Sequence, residues 1–422
     1  MSEKTPTPPE KPTGHKAIEA ETVVELEEER TGTDPKIEDQ PEHADLKSPI
    51  SWLPSLIETF VAIAIALIIG ALLIALSDEK VVESMPYFFS YPWDFFSRSW
   101  DAISSSYWAL LKGSMGSGEA IGRTLQRSAP LICAGLGVSL AFRSGLFNIG
   151  AQGQLILGAL VAGYIGFSWD LPPGIHTLAA LIGGLVAGGL WGAISGYLKA
   201  RTGAHEVITT IMLNYLAASV MLYALSKNAF QRPGSDNRQS PPVHDSATFG
   251  SIGDMHLGVL LAFVAAAAVW WLLERSTLGF ELRAVGANPQ AARTAGMNVE
   301  KVFTIAMLIA GLLAGLAATM TVLGQQNSLS PTLPGTIGFD AITVALLGRA
   351  TPLGTVLAGL MFGALSVGGV AMQAAAGTPK ELTQVLSALI VLFVAAPALV
   401  RGIARLKGSG SDDAMMAKGW GG

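Results

Sequence analysis

Residues 56–76 read LIETFVAIAIALIIGALLIAL. Apart from Glu58, near one end, the run carries no charge. A helix rises 1.5 Å per residue, so about 20 apolar residues cross the ~30 Å hydrocarbon core of a bilayer. A helix also satisfies its own backbone hydrogen bonds where no water can. The stretch is therefore expected to span a membrane.

Nine more apolar segments follow, at roughly 129–142, 146–167, 177–198, 207–225, 257–273, 302–323, 339–347, 353–372 and 382–400. Extending the 129–142 segment toward residue 120 would take in Arg123 and Arg127. The 339–347 segment is too short to span alone. It is expected to be half of a broken helix that continues into 353–372, an arrangement tolerated where it lines a cavity inside the protein. The fold class is an all-α polytopic membrane protein of about ten transmembrane helices, one of them broken or re-entrant.

Composition agrees. Of 422 residues, 50% are hydrophobic and 14% charged, against about 25% charged in a soluble domain. Residues 1–50 hold six Lys/Arg and thirteen Asp/Glu, and the remainder 21 and 19. The net charge of −5 thus belongs to the N-terminal segment and says nothing about a solute. That segment is rich in Pro, Thr, Glu and Lys and is expected to be a disordered acidic cytoplasmic tail. Residues 51–405 form the expected transmembrane domain, and 406–422 a flexible C-terminal tail. The single cysteine, Cys133, sits in an apolar run and reads as a small buried hydrophobe.

Lys and Arg gather on the cytoplasmic side of membrane proteins. The short connections 168–176 and 324–338 have neither, whereas Lys199, Arg201, Arg275, Arg283, Arg293 and Arg349 occupy the alternate ones. Both termini are therefore expected in the cytoplasm. The first outer connection, 77–118, is dense in aromatic residues, including Tyr91, Trp93, Phe96, Trp100 and Trp108. A helix lying on the outer leaflet is expected there.

Gly184, Gly188, Gly192 and Gly196 recur every four residues, and Gly311/Gly315 and Gly359/Gly363 repeat the spacing. In lipid, small residues let helix backbones approach closely, so these faces are expected at helix contacts.

Polar groups at membrane depth are costly and tend to face a cavity or a partner. Asn148, Gln152 and Gln154 lie at i, i+4 and i+6, so Asn148 and Gln152 are expected on one helical face. His205, Glu206 and Asn214 form a second group, Asp340 with Thr343 a third, and Gln325, Gln326 and Asn327 a fourth. Neutral amides offer donors and acceptors together, which suits sugar hydroxyls or base edges. They serve equally as hydrogen bonds between helices. Glu206 follows Lys199 and Arg201 closely and reads either as a satisfied interfacial pair or as part of a proton relay. No metal-ligand spacing occurs. GSMGSG at 113–118 lacks the GK[ST] ending that cradles phosphates.

The longest inner connection, 274–301, reads ERSTLGFELRAVGANPQAARTAGMNVEK. A short helix is expected from Pro289, with Asn288 as its N-cap. Rich in Ala and Gly, it suits docking into a groove of another protein, or serves as a plain interfacial linker.

This loop resembles the coupling loop of ABC importer permeases for branched-chain amino acids, ribose-type sugars and nucleosides. The stretches SGLFNIGAQGQLILGAL (144–160), EVITTIMLNYLA (206–217) and GFDAITVALLGRATPLGTVLAG (338–359) are similar to the nucleoside-type branch. The likeness covers roughly residues 50–405, and the acidic tail departs from it. It implies a permease without an ATPase of its own and without a bound cofactor, ATP being hydrolysed by partner subunits. It also implies a second permease subunit, forming a heterodimer, and an extracytoplasmic solute-binding lipoprotein, in a lipid bilayer and with no nucleic acid. By motif, Gly286, Asn288, Ala291, Ala292 and Gly296 would transmit the ATPase motion. Asn148, Gln152, Glu206, Asn214 and Asp340 would lie near the pathway or its gating helices. An ion-coupled secondary transporter is the rival class, and Asp340 is its one candidate carboxylate within the spans.

Overall fold

The computed structural model describes residues 53–234, 237–252 and 255–395. The expected tails, 1–50 and 406–422, lie outside the described residues, as does the 396–400 end of the tenth apolar segment. One compact unit begins at Glu58, and the bundle belongs to it.

A helix stands at each of the ten apolar segments. Eight are long and apolar enough to cross a membrane: α1 (Leu53–Ser77), α4 (Gly118–Arg143), α5 (Ala151–Ser168), α6 (Ile175–Thr202), α7 (Glu206–Leu225), α8 (Gly258–Arg275), α11 (Val299–Thr321) and α13 (Pro352–Ala376). Two are shorter, α12 (Ile337–Leu347) and α14 (Lys380–Ala395). The connections add α2 (Glu79–Ser84), α3 (Pro92–Met115), α9 (Thr277–Ala287) and α10 (Pro289–Thr294). Between α7 and α8, two short strands, β1 (Ser251–Ile252) and β2 (Met255–His256), pair antiparallel.

The glycine faces meet as expected. α6 and α11 run antiparallel, with Gly188 against Gly311 and Gly196 against Phe303. A Cβ at Gly188 would stand 2.5 Å from the Gly311 carbonyl oxygen, and one at Gly196 2.8 Å from that of Phe303. Only hydrogen fits there. Gly359 and Gly363 do the same for α13 against Ile132 and Ser128 of α4. Cys133 is fully buried in this core.

Four expectations need correction. First, α4 begins at Gly118, where Ser117 Oγ accepts from the Ala120 N–H at 3.1 Å. The helix therefore takes in Arg123 and Arg127, whose charge had masked its first eleven residues. Second, α5 begins only at Ala151, so Asn148 precedes it and shares no helical face with Gln152. Asn148 Oδ1 accepts from the Gly150 N–H at 2.9 Å. This local turn competes with helix.

Third, α12 does not run on into α13. Gly135 of α4 faces both Val344 and Thr355, and Ile337 lies level with Phe362 and Ser366, so the two helices form an antiparallel hairpin. The turn between them holds Arg349 and Ala350 at φ 50° and 49°. The other half of the broken span is the non-helical segment 327–336, which precedes α12. It follows a π-helical turn, Val322–Gln326. Fourth, α3 is not a helix resting on a surface. Its aromatic N-terminal half is exposed at Trp93, Phe96 and Trp100. Its C-terminal half packs on α13 and α1: Ser106 bonds Thr378 at 2.8 Å, and Tyr107 Oη donates to Leu67 O at 2.6 Å.

Candidate functional site

The expected amides act first as staples. Gln152, 9% exposed, donates from Nε2 to Gly335 O at 2.7 Å and accepts at Oε1 from the Gly338 N–H at 2.9 Å. The first N–H groups of a helix have no intrahelical acceptor. Gln152 thus caps α12 where that helix begins inside the bundle. Asn214 of α7 does the same for α5: its Oδ1 accepts from the Gly153 N–H at 2.8 Å and its Nδ2 donates to Ile149 O at 2.9 Å. Asn148 pairs with Gln154 at 3.3 Å. Glu206 forms an ion pair with Lys199 at 2.9 Å across the α6–α7 turn. Each of these side chains holds a neighbouring element, and none of them lines the cavity described next.

Asp340 does reach one. A cavity of about 470 Å³ opens between α4, α12, α13 and α14. Asp340 and Thr343 line it from α12, and Arg127 and Leu131 from α4. Phe362 and Ser366 face it from α13, and Thr383, Gln384 and Ser387 from α14. Asp340 Oδ2 accepts from Thr336 Oγ1 at 2.9 Å, and Arg127 Nε donates to Ser366 Oγ at 3.3 Å. One guanidinium and one carboxylate therefore line a wall otherwise made of hydroxyls, an amide and apolar carbon. Such cavities, mostly apolar with a few placed polar groups, are the usual form of small-molecule sites, at ~300–1,000 Å³. Sequence reasoning missed Arg127, Ser366 and the α14 residues. The polar spacing of Thr383 and Ser387, four apart on an apolar helix, was the available signal.

The long connection between α7 and α8 straps the non-helical half of the broken span. Ser240 N donates to Leu329 O at 3.0 Å, Ser240 Oγ accepts from Leu329 N at 2.8 Å, and Val243 N donates to Asn327 O at 2.8 Å. At its end His256, 3% exposed, stacks on Phe249 and abuts Gly324 of the π-helical turn. Neither ring nitrogen has a partner, and burial pushes the imidazole down to about 4.

At the opposite end, 274–301 folds as two helices. Asn288 Oδ1 accepts from the Ala291 N–H at 3.0 Å, capping α10 as expected. Asn288, Ala291 and Gly296 are exposed, whereas Ala292 is 4% exposed. Gly296, at φ +85°, closes α10 in the left-handed region. Gly286 points inward: a Cβ there would strike the Arg143 carbonyl at the end of α4. Gly145 lies against the same glycine.

A multi-pass helical membrane protein with one discontinuous span, a polar cavity within the bundle and a helical loop exposed at one end has the architecture of a membrane permease. The family described as branched-chain amino acid transport system, permease component, matches residues 120–395, which hold every cavity residue and the whole loop. The chain belongs to this family. It is 41% identical over 319 residues to the guanosine ABC transporter permease protein NupP of Bacillus subtilis, covering 73% of this chain and 90% of that one. It is 35% identical over 303 residues to the nucleoside ABC transporter permease protein NupB of Lactococcus lactis, covering 68% and 82%. It is 33% identical over 302 residues to the glucose ABC transporter permease protein TsgB13 of Haloferax volcanii, covering 68% and 79%. No solved structure matches the chain.

Proposed function

We propose that this chain is the transmembrane permease subunit of an ATP-driven importer for nucleosides. It would work with separate ATPase subunits, a second permease chain and an extracytoplasmic solute-binding lipoprotein. The observation that carries the reading is the 41% identity with a guanosine permease over 90% of that protein's length. The loop 274–301 and both termini then face the cytoplasm, and the strap between α7 and α8 faces outward.

The packing supports a route for the motion. An ATPase would hold the exposed face of α10, at Asn288, Ala291 and Gly296. Movement of α10 would pass through α9, because Gly286 is wedged on the Arg143–Gly145 end of α4. The same helix lines the cavity at Arg127 and Leu131. Ala292 and Gly286 would act by holding the loop together. Asp340 would face the solute, while Asn148, Gln152, Glu206 and Asn214 hold the helix ends that frame the passage.

Uptake of labelled guanosine by cells lacking this chain, with and without the chain restored, tests the reading. Uptake should return with the chain, fail on ATP depletion and survive an ionophore that collapses ion gradients while ATP is kept up. Ionophore sensitivity with ATP intact would favour the ion-coupled class. Likeness to a glucose permease favours a sugar as the second reading. Competition by excess glucose would support it.

A further inference from the structure

The cavity between α4, α12, α13 and α14 contains polar groups that the bundle leaves unfinished. Thr383 is 5% exposed, yet its Oγ1 has no hydrogen-bond partner. A buried hydroxyl without a partner is costly to keep. Arg127 uses its Nε on Ser366 and has further N–H donors, since a guanidinium carries five. Asp340 accepts from Thr336 and keeps acceptor capacity, because a carboxylate offers about four lone-pair sites. Gln384 adds both a donor and an acceptor to the wall, and Phe362 adds a flat apolar face. These groups come from four helices and share one space.

We propose that this cavity is a binding station for an uncharged solute carrying a vicinal diol. Asp340 takes the two adjacent hydroxyls, Gln384 meets the polar edge of the ring system, and Phe362 covers its apolar face. The inference rests on the transport reading above and adds to it a site and its chemistry. Two oxygens of one carboxylate match two neighbouring hydroxyls. Formal charge points the same way: Arg127 and Asp340 offset each other, so an anionic solute gains at one and loses at the other. A zwitterionic amino acid could bridge the two charges. A nucleoside and a free sugar both carry the diol, and the test separates them.

The single cysteine of the chain is buried, so Ser387→Cys places one reachable thiol in the cavity wall. Membrane vesicles from the native host, containing the complete transporter, would be treated with a small polar maleimide and the labelling of this chain followed over time. Guanosine should slow labelling at least five-fold, and 2′,3′-dideoxyguanosine should leave it unchanged. Asp340→Asn should abolish the guanosine protection without altering labelling in the absence of solute. Protection by glucose in place of guanosine would assign the same chemistry to a sugar. Equal protection by guanosine and its dideoxy analogue, protection by leucine, or no labelling in any state while guanosine uptake is intact would each overturn the proposal. Absence of guanosine uptake by the unaltered transporter would instead sink the nucleoside reading. Ala388→Cys, the next residue of the same wall, serves if Ser387→Cys fails to assemble.

Discussion

The Gly338 N–H donates to Gln152 Oε1 at 2.9 Å, joining residues 186 positions apart in the chain. The bond is one arm of a clasp whose other arm runs from Gln152 Nε2 to Gly335 O. Together they fix the point at which an extended chain becomes a helix inside the bundle. A half-helix can begin at that depth because a side chain from α5 stands in for the missing turn.

Gln152→Leu removes both arms and strands a backbone donor and an acceptor. Each orphaned group costs about 1–3 kcal/mol. Thermal unfolding of the detergent-solubilised chain should shift down by several degrees, with uptake largely lost. An unchanged melting temperature would show that the clasp contributes little.

Gly188→Val is expected to fail at assembly. Overpacking a close contact costs about 1–3 kcal/mol, and here the obstacle is the backbone of Gly311 and Gly315, which has no rotamer to yield. Gly118→Ala is the contrast, since a Cβ there meets nothing within 4 Å. Size-exclusion profiles of the two variants should differ sharply, the first aggregated and the second like the parent.

Ala291→Glu and Ala292→Glu are neighbours with opposite outcomes. Ala291 is exposed on α10 and Ala292 is buried beneath it. The first should leave melting within about a degree of the parent and abolish ATP-dependent uptake. The second buries a charge without a partner and should lower the yield of folded protein. Normal uptake by Ala291→Glu would remove α10 from the coupling path.

His256 predicts a pH dependence of stability. Its folded pKa is about 4, below the ordinary 6.5, because burial disfavours the charged form. The unfolded chain therefore binds the proton more readily. The neutral form's contribution is complete above about pH 6.5 and declines as pH falls from there toward 4. Melting followed from pH 7.5 to 4.5 should decline over that window, and His256→Leu should flatten the decline. No hydrogen bond is lost in that change, since neither ring nitrogen has a partner.

Much of the fold was legible because hydropathy and small-residue spacing are properties of single segments. The ten apolar helices, the glycine contacts of α6 with α11 and the Asn288 cap all follow from local pattern. What escaped depended on distant chain. Arg127 lies within α4, and a window of hydropathy rejects it before a cavity can explain it. The segment 327–336 has no periodicity of its own because its partners are Gln152 and Ser240, far away in sequence. An amide at membrane depth looks the same whether it faces a solute or a backbone N–H. Gln152 and Asn214 bond backbone groups of neighbouring segments, and of the expected pathway residues Asp340 lines the cavity.

The contact between α6 and α11 has a mechanical consequence. Where two backbones touch through hydrogen alone, neither can slide by a fraction of a turn without a carbonyl striking a Cα. The pair therefore travels as one solid piece, a keel for the rest of the bundle. Any rearrangement of the bundle must leave this contact whole.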